Sequence, residues 1–185
     1  MQQVLLNIGS GYKRQHGFIN LDSDPNCKPD IVIELDDINL RLPYDDSSVD
    51  GVVAHHILEH IGVGYFKLLQ EIYRVCKPGA LIDIRVPHPN HETFLNDPTH
   101  KRPITVEGLR LFSKKVNLLE IERGGTSSTL GIMFDVDFDV IHYDFVHDAF
   151  YDNIVPSLSW EMKQRLFREA LNTTIEIVIK LMVVK

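Results

Sequence analysis

Only six residues, Tyr12 to Gly17, separate a glycine turn from the next strand-like run, and this spacing constrains the fold of the chain. The run before the turn, Val4-Leu5-Leu6-Asn7-Ile8, reads as a buried strand stopped by Gly9-Ser10-Gly11. Phe18-Ile19-Asn20-Leu21-Asp22 reads as a second strand. Six residues are too few for the crossover helix that ordinarily joins parallel strands. Further runs follow at Asp30 to Leu35, Val49 to Ala54 and Ala80 to Val86. Between the last two the apolar spacing predicts a helix over Val63 to Cys76, with Phe66, Leu69, Ile72 and Cys76 near one face. Lys77-Pro78-Gly79 ends it. Apolar strands interleaved with helical segments point to an α/β protein with a mostly parallel sheet.

The pattern loosens from His88 to about Gly125, where a short helix near Thr105–Phe112 and a loop at Gly124-Gly125-Thr126-Ser127-Ser128 are expected. Phe134, Val136, Phe138 and Val140 then alternate with Asp135, Asp137 and Asp139, predicting a half-buried strand with a solvated acidic face. A helix over about Leu158–Leu171 and a strand from Ile175 to Val184 complete a strand-helix-strand unit. Such a unit suits an antiparallel hairpin at the C-terminal edge of the sheet. The expectation is one domain over residues 1–185, with a ligand-binding half at 1–87, an insertion at 88–130 and the C-terminal unit at 131–185.

With 44% hydrophobic and 24% charged residues, the chain has the composition of an ordinary globular protein. No apolar run reaches the roughly 18 residues of a membrane helix, so no membrane association is expected. Met1-Gln2-Gln3 leads directly into a strand without the features of an export leader. Cys27 and Cys76 have no metal-ligand spacing and make no disulfide framework, which makes the cytoplasm the expected location. The net charge of −7 with scattered basic residues disfavours a nucleic-acid partner.

Ligands of open parallel sheets sit beyond the carboxyl ends of the strands, where Gly9-Ser10-Gly11 falls. Glycine there lets the backbone approach a ligand, although a plain tight turn has the same composition. A dinucleotide site would need a third glycine where Arg14 stands, and a helix after it, so nicotinamide cofactors are disfavoured. Asp22 either opens the turn Asp22-Ser23-Asp24-Pro25 or accepts hydrogen bonds from the two hydroxyls of a ribose.

The segments LNIGSG, GFINLD, DINLRLPYDDSSVDGVV, HHILEH and EIYRVCKPGALIDIRVP occur in an order that resembles the class I S-adenosylmethionine-dependent methyltransferases. The resemblance spans about residues 4–87, and NDPTHKRPIT resembles a later stretch of a subgroup. It implies a Rossmann-like sheet, S-adenosyl-L-methionine as cofactor and methyl transfer to a small-molecule acceptor at oxygen or nitrogen. By the same resemblance Asn7, Gly9 and Gly11 face the cofactor, Asp22 holds its ribose, and Asp37 and Ile38 lie beside adenine. Ala54 and His55 then supply backbone contacts near the transferable methyl. The chain departs from the family in having Asn7 where an acid is usual and in lacking the helix between the first two strands.

An alcohol acceptor also needs a base, most often histidine near neutral pH. His56, Glu59 and His60 follow the fourth strand, while His88 and His91 follow the fifth and His100 lies further on. His56 and His88 are the candidate catalytic residues; a turn and helix start explains the first group equally, and a surface turn the second. Gathering His88, His91, Glu92 and His100 around an ion would make a metal-dependent hydrolase. Their spacing is not a recognised ligand pattern, and no metal is expected. A relative that binds the cofactor without chemistry, or acts as a regulatory subunit, is the other alternative.

Overall fold

A computed structural model describes residues 3–151 and 153–185; Met1 and Gln2, read above as the lead into the first strand, lie outside them. Seven strands form one sheet: β1 (Leu5–Ile8), β2 (Ile19–Asp22), β3 (Ile31–Val32), β4 (Val49–His55), β5 (Cys76–Pro87), β6 (Phe138–His147) and β7 (Thr174–Val183). Their order is β3-β2-β1-β4-β5-β7-β6. The first five are parallel, and β7 runs antiparallel to both β5 and β6. The C-terminal pair therefore forms the antiparallel end of the sheet, with β7 reaching inward beside β5 and β6 holding the rim. The burial of Ile177, Ile179, Leu181 and Val183 accounts for that inner position.

One sheet face carries Leu6, Ile8, Val52, Ala54, Ile82, Ile84 and Val86, all buried. Helix α1 (Tyr65–Val75) covers it, burying Tyr65, Leu68, Leu69, Ile72 and Val75 at helical spacing. Further along lie α2 (Glu92–Leu95), α3 (Val106–Arg110), α4 (Lys114–Glu122), α5 (Leu130–Met133) and α6 (Trp160–Glu169). Among the described residues none of these helices is long and apolar enough to cross a membrane. Among them, too, α1 is the only α-helix that joins two parallel strands; β1 and β2 are linked by turns alone, as their spacing requires.

Three strand boundaries differ from the sequence pattern: of the run at 30–35 only Ile31–Val32 pairs as a strand, and β5 and β6 start elsewhere than their alternation suggests. β5 starts at Cys76 rather than Ala80, because Cys76 already pairs with Val49 and a shift of register absorbs the next residues. β6 starts at Phe138 rather than Phe134, after α5 and a left-handed Asp135 (φ +51°). The acidic row is not simply solvated. Asp137 accepts the Lys114 N–H at 2.9 Å and Asp139 accepts the Ser113 hydroxyl at 2.9 Å, so both fix the start of α4. Asp135 pairs with the Lys114 ammonium at 2.6 Å.

Glu71 is the buried charge on α1. Its carboxylate accepts the Leu42 N–H at 2.9 Å and the Arg74 guanidinium at 2.7 Å. Arg74 in turn donates to the Leu42 and Tyr44 carbonyls, fastening the 41–46 segment to the helix. Burial pushes the Glu71 carboxyl up, but Arg74 and Leu42 more than offset it, and the group lies below its ordinary range. Its stabilising effect is thus complete above the unfolded carboxyl pKa of about 4.3 and is lost as pH falls through the lower folded value. Glu71→Ala is expected to cost about 3 kcal/mol in urea unfolding at pH 7, because it leaves the buried Leu42 N–H without its acceptor and takes the buried carboxylate from the mostly covered Arg74 guanidinium. Glu71→Gln is expected to flatten the acid limb of stability against pH, which the same titration at pH 3–6 measures.

Candidate cofactor and acceptor site

β1 ends in Gly9 and Gly11, with φ of +63° and +48°, a region open to glycine. A Cβ on Gly9 would stand 2.4 Å from the Ile57 side chain, whereas one on Gly11 would meet nothing within 4 Å. The space beside Gly9 is thus filled by Ile57, and only the space beside Gly11 is open. The Ser10 N–H donates to the Leu21 carbonyl at 3.0 Å, while its hydroxyl is buried without a hydrogen-bond partner. Asp22 accepts the Gly11 N–H at 2.7 Å and the Asp24 N–H at 2.9 Å, locking the glycine turn to the end of β2.

Asn7 is buried under the turn, donating to Asn20 Oδ1 at 2.9 Å and to the Lys13 carbonyl at 3.3 Å. The side chain at this position thus supports the loop from below.

Three cavities open at the carboxyl ends of the strands. One of about 630 Å³ is lined by Asn7, Gly9, Ser10, Gly11, His55, His56, Arg85 and Glu176. A smaller one of about 160 Å³ is lined by Gly9, Asp22, Leu35, Asp36, Ile57 and Lys101 among others. The third, of about 440 Å³, is lined by His56, Glu59, His60, Asp97, His100 and Glu176 among others. Gly9 borders the first two, while His56 and Glu176 border the first and third. The larger volumes fall within the roughly 300–1,000 Å³ of small-molecule sites.

Asp36 and Asp37 have different surroundings. Asp37 turns its carboxylate to the Asn39 N–H at 2.8 Å, and Ile38 is 64% exposed; neither lines a cavity. Asp36 does, accepting the Gly64 N–H at 2.7 Å and the Lys101 ammonium at 2.5 Å. Burial raises its carboxyl, but Lys101 and the Gly64 and Gly62 N–H groups outweigh this and hold it below the usual range.

Ala54 and His55 point to opposite faces, as neighbours in a strand must. Ala54 is in the core, and His55 meets Asp83 at 2.6 Å on the other face. His56 has a positive φ of +53°, with Nε2 2.8 Å from Glu176 Oε1 and Nδ1 3.5 Å from Glu59 Oε1. Glu59, then Glu176, raise its imidazole above the ordinary range against the effect of burial. Glu176 comes from β7, 120 positions away, and no local pattern announces it.

His88 lies outside these cavity walls. Its Nδ1 accepts the Asn90 N–H at 3.2 Å, and burial, followed by His91 and His147, lowers its pKa. His91 is buried and caps α2 by accepting the Thr93 N–H at 3.1 Å. The four residues weighed as metal ligands therefore do not gather: only His100 reaches the third cavity, where it joins Glu59 and His60.

Residues 16–83 match the model of a methyltransferase-domain family, a segment running from before β2 into β5. No curated protein matches the chain. Among solved structures, a SAM-dependent methyltransferase from Archaeoglobus fulgidus is similar at 21% identity and a TM-score of 0.63, over 97% of this chain and 86% of that one. Phosphoethanolamine N-methyltransferase 2 of Haemonchus contortus, in complex with S-adenosyl-L-methionine, aligns at 14% identity and a TM-score of 0.57. That alignment covers all of this chain and 49% of the nematode protein. The [4+2]-cyclase SpnF also shares the fold, at 14% identity and a TM-score of 0.56, over 98% of this chain and 76% of that one. The matched segment is just over a third of the chain, and the sheet around it has the fold of these S-adenosylmethionine-dependent methyltransferases.

The two glycines are expected to respond differently to a methyl group. Gly9→Ala adds a clash with Ile57 to the backbone strain, whereas Gly11→Ala adds only the strain, about 1–2 kcal/mol. Thermal unfolding is expected to show the larger loss for Gly9→Ala; equal losses would mean that Ile57 yields freely.

Proposed function

We propose that the chain transfers the methyl group of S-adenosyl-L-methionine to an oxygen or nitrogen of a small molecule bound in the histidine-lined cavity. The observation that carries this reading is that three cavities adjoin one another at the ends of β1, β2 and β4, with Gly9 a wall residue of two and His56 a wall residue of two. The residues present fit the cofactor. Ser10 Oγ is a buried polar atom without a partner, Gly11 has open space at its Cα, and Asp22 keeps lone pairs beyond those it gives to two N–H groups.

In this reading Asp22 and Asp36 hold the adenosyl half, and Gly9, Ser10 and Gly11 the amino-acid half, beside Arg85. The sulfonium of the bound cofactor activates the methyl carbon for in-line displacement. The protein's share is position and exclusion of water, which recover roughly 7–11 kcal/mol of barrier when reactants are well oriented. His56 is the proton-handling candidate, since it faces both the cofactor side and the acceptor side. His88 has no such place.

Calorimetry with the cofactor tests binding, and product formation from a panel of acceptors separates an active enzyme from a cofactor-binding relative. Asp22→Ala is expected to weaken cofactor affinity at least about tenfold through lost hydrogen bonds to a charged group. His56→Gln is expected to lower kcat about a hundredfold with an alcohol acceptor, and His88→Gln to leave it unchanged. Wild-type protein with no affinity for the cofactor would end the proposal.

A further inference from the structure

Among the described residues, Glu59 has the least explained surroundings. It is 1% exposed in the turn after β4, and neither carboxylate oxygen receives a hydrogen bond. A buried carboxylate that receives no hydrogen bond is costly unless cations meet it. Its nearest charged neighbour is the His56 ring, at 3.5 Å.

Two imidazoles face the same point. One donor atom from each of Glu59, His60 and His100 lies within 4.8 Å of the others. The hydrogen bonds around the rings set their tautomers. His100 Nδ1 is 2.8 Å from the Phe94 carbonyl oxygen, which only accepts, so Nδ1 carries the proton. Thr99 Oγ1 donates its hydrogen to Asp97 at 2.6 Å, so the 2.9 Å bond between Thr99 Oγ1 and His60 Nδ1 uses a proton from His60. Each neutral ring therefore keeps its Nε2 lone pair. Hydrogen bonding of the far ring nitrogen to a carbonyl or carboxylate-backed group is the outer shell that orients metal-binding histidines.

We propose that Glu59, His60 and His100 bind one divalent first-row transition metal, of the zinc class, at the wall of the acceptor cavity. Two imidazole nitrogens and one carboxylate suit zinc, manganese or iron better than magnesium or calcium, which prefer oxygen donors. Bonds of about 2.0–2.1 Å at tetrahedral angles put donor atoms ~3.3 Å apart, so small side-chain rotations close the present spacing. Three protein ligands leave a coordination position open toward the cavity. This part rests on the methyltransferase reading: the open position favours an acceptor carrying a hydroxyl or carboxylate oxygen over one with an amine alone.

The test uses tag-free, chelator-stripped protein titrated with zinc chloride, and separately with cobalt chloride, by calorimetry and visible absorption. One equivalent is expected to bind at micromolar or tighter Kd, with cobalt showing the absorption of a low-coordinate site. Glu59→Gln and His100→Ala are expected to weaken binding at least about a hundredfold, and Thr99→Val about tenfold through the outer shell. Glu59→Gln in the absence of metal is expected to be at least as heat-stable as wild type, an outcome that a purely structural role for the carboxylate does not give. Binding of the demethylated cofactor is measured on the same samples, so loss of metal affinity is told apart from failure of the cofactor site. Wild-type protein that takes up no metal, or variants that bind it as tightly as wild type, would overturn the proposal.

Discussion

A buried amide holds together the part of the sheet where a helix is missing. Asn20 accepts the Gln15 N–H, and its amide donates to the Gln15 and Phe18 carbonyls and to Asp30. Asn7 reaches it from β1 at 2.9 Å. A helix across β1 and β2 would have covered these strands with apolar side chains. Here a short loop does so, and loops leave backbone donors and acceptors that need buried partners. The position of the glycine turn, and of Asp22 beneath it, follows from this network.

The missing helices also shape what lies in front of the sheet. The uncovered face of β4, β5 and β7 carries His55, Asp83, Arg85 and Lys180 in place of an apolar layer, with His55 and Asp83 paired. That polar face forms one wall of the cavity of about 630 Å³, which the glycine turn closes on the other side. The α1 face is conventional by contrast, and the buried Glu71 carboxylate with its Arg74 partner serves the loop that carries Asp36 to the cavity it lines.

Legibility in the sequence followed the range of the interaction. The strand runs at 4–8, 18–22 and 49–54 and the helix near 63–76 were readable because their periodicity is local. So was the turn chemistry of Gly9 and Gly11. The start of β6 was not, since apolar residues alternate equally well before and within it; tertiary packing gave Phe134 to a stack on Phe66 instead. Asp36 and Asp37 are chemically alike, and only the contact with Gly64 and Lys101 distinguishes them.

The sequence by itself determined where the backbone turns, where the carboxyl ends of the strands fall, and which acids and histidines stand near them. The tertiary structure decided which of those groups meet. Glu176 reaches His56 because β7 inserts beside β5, and His100 reaches Glu59 because the segment after α2 folds back, the Lys101 N–H bonding to the Glu59 carbonyl at 2.8 Å. Local periodicity encodes the face on which a residue points, but a pairing across 40 or 120 positions depends on how separate elements pack, which no short stretch of chain contains.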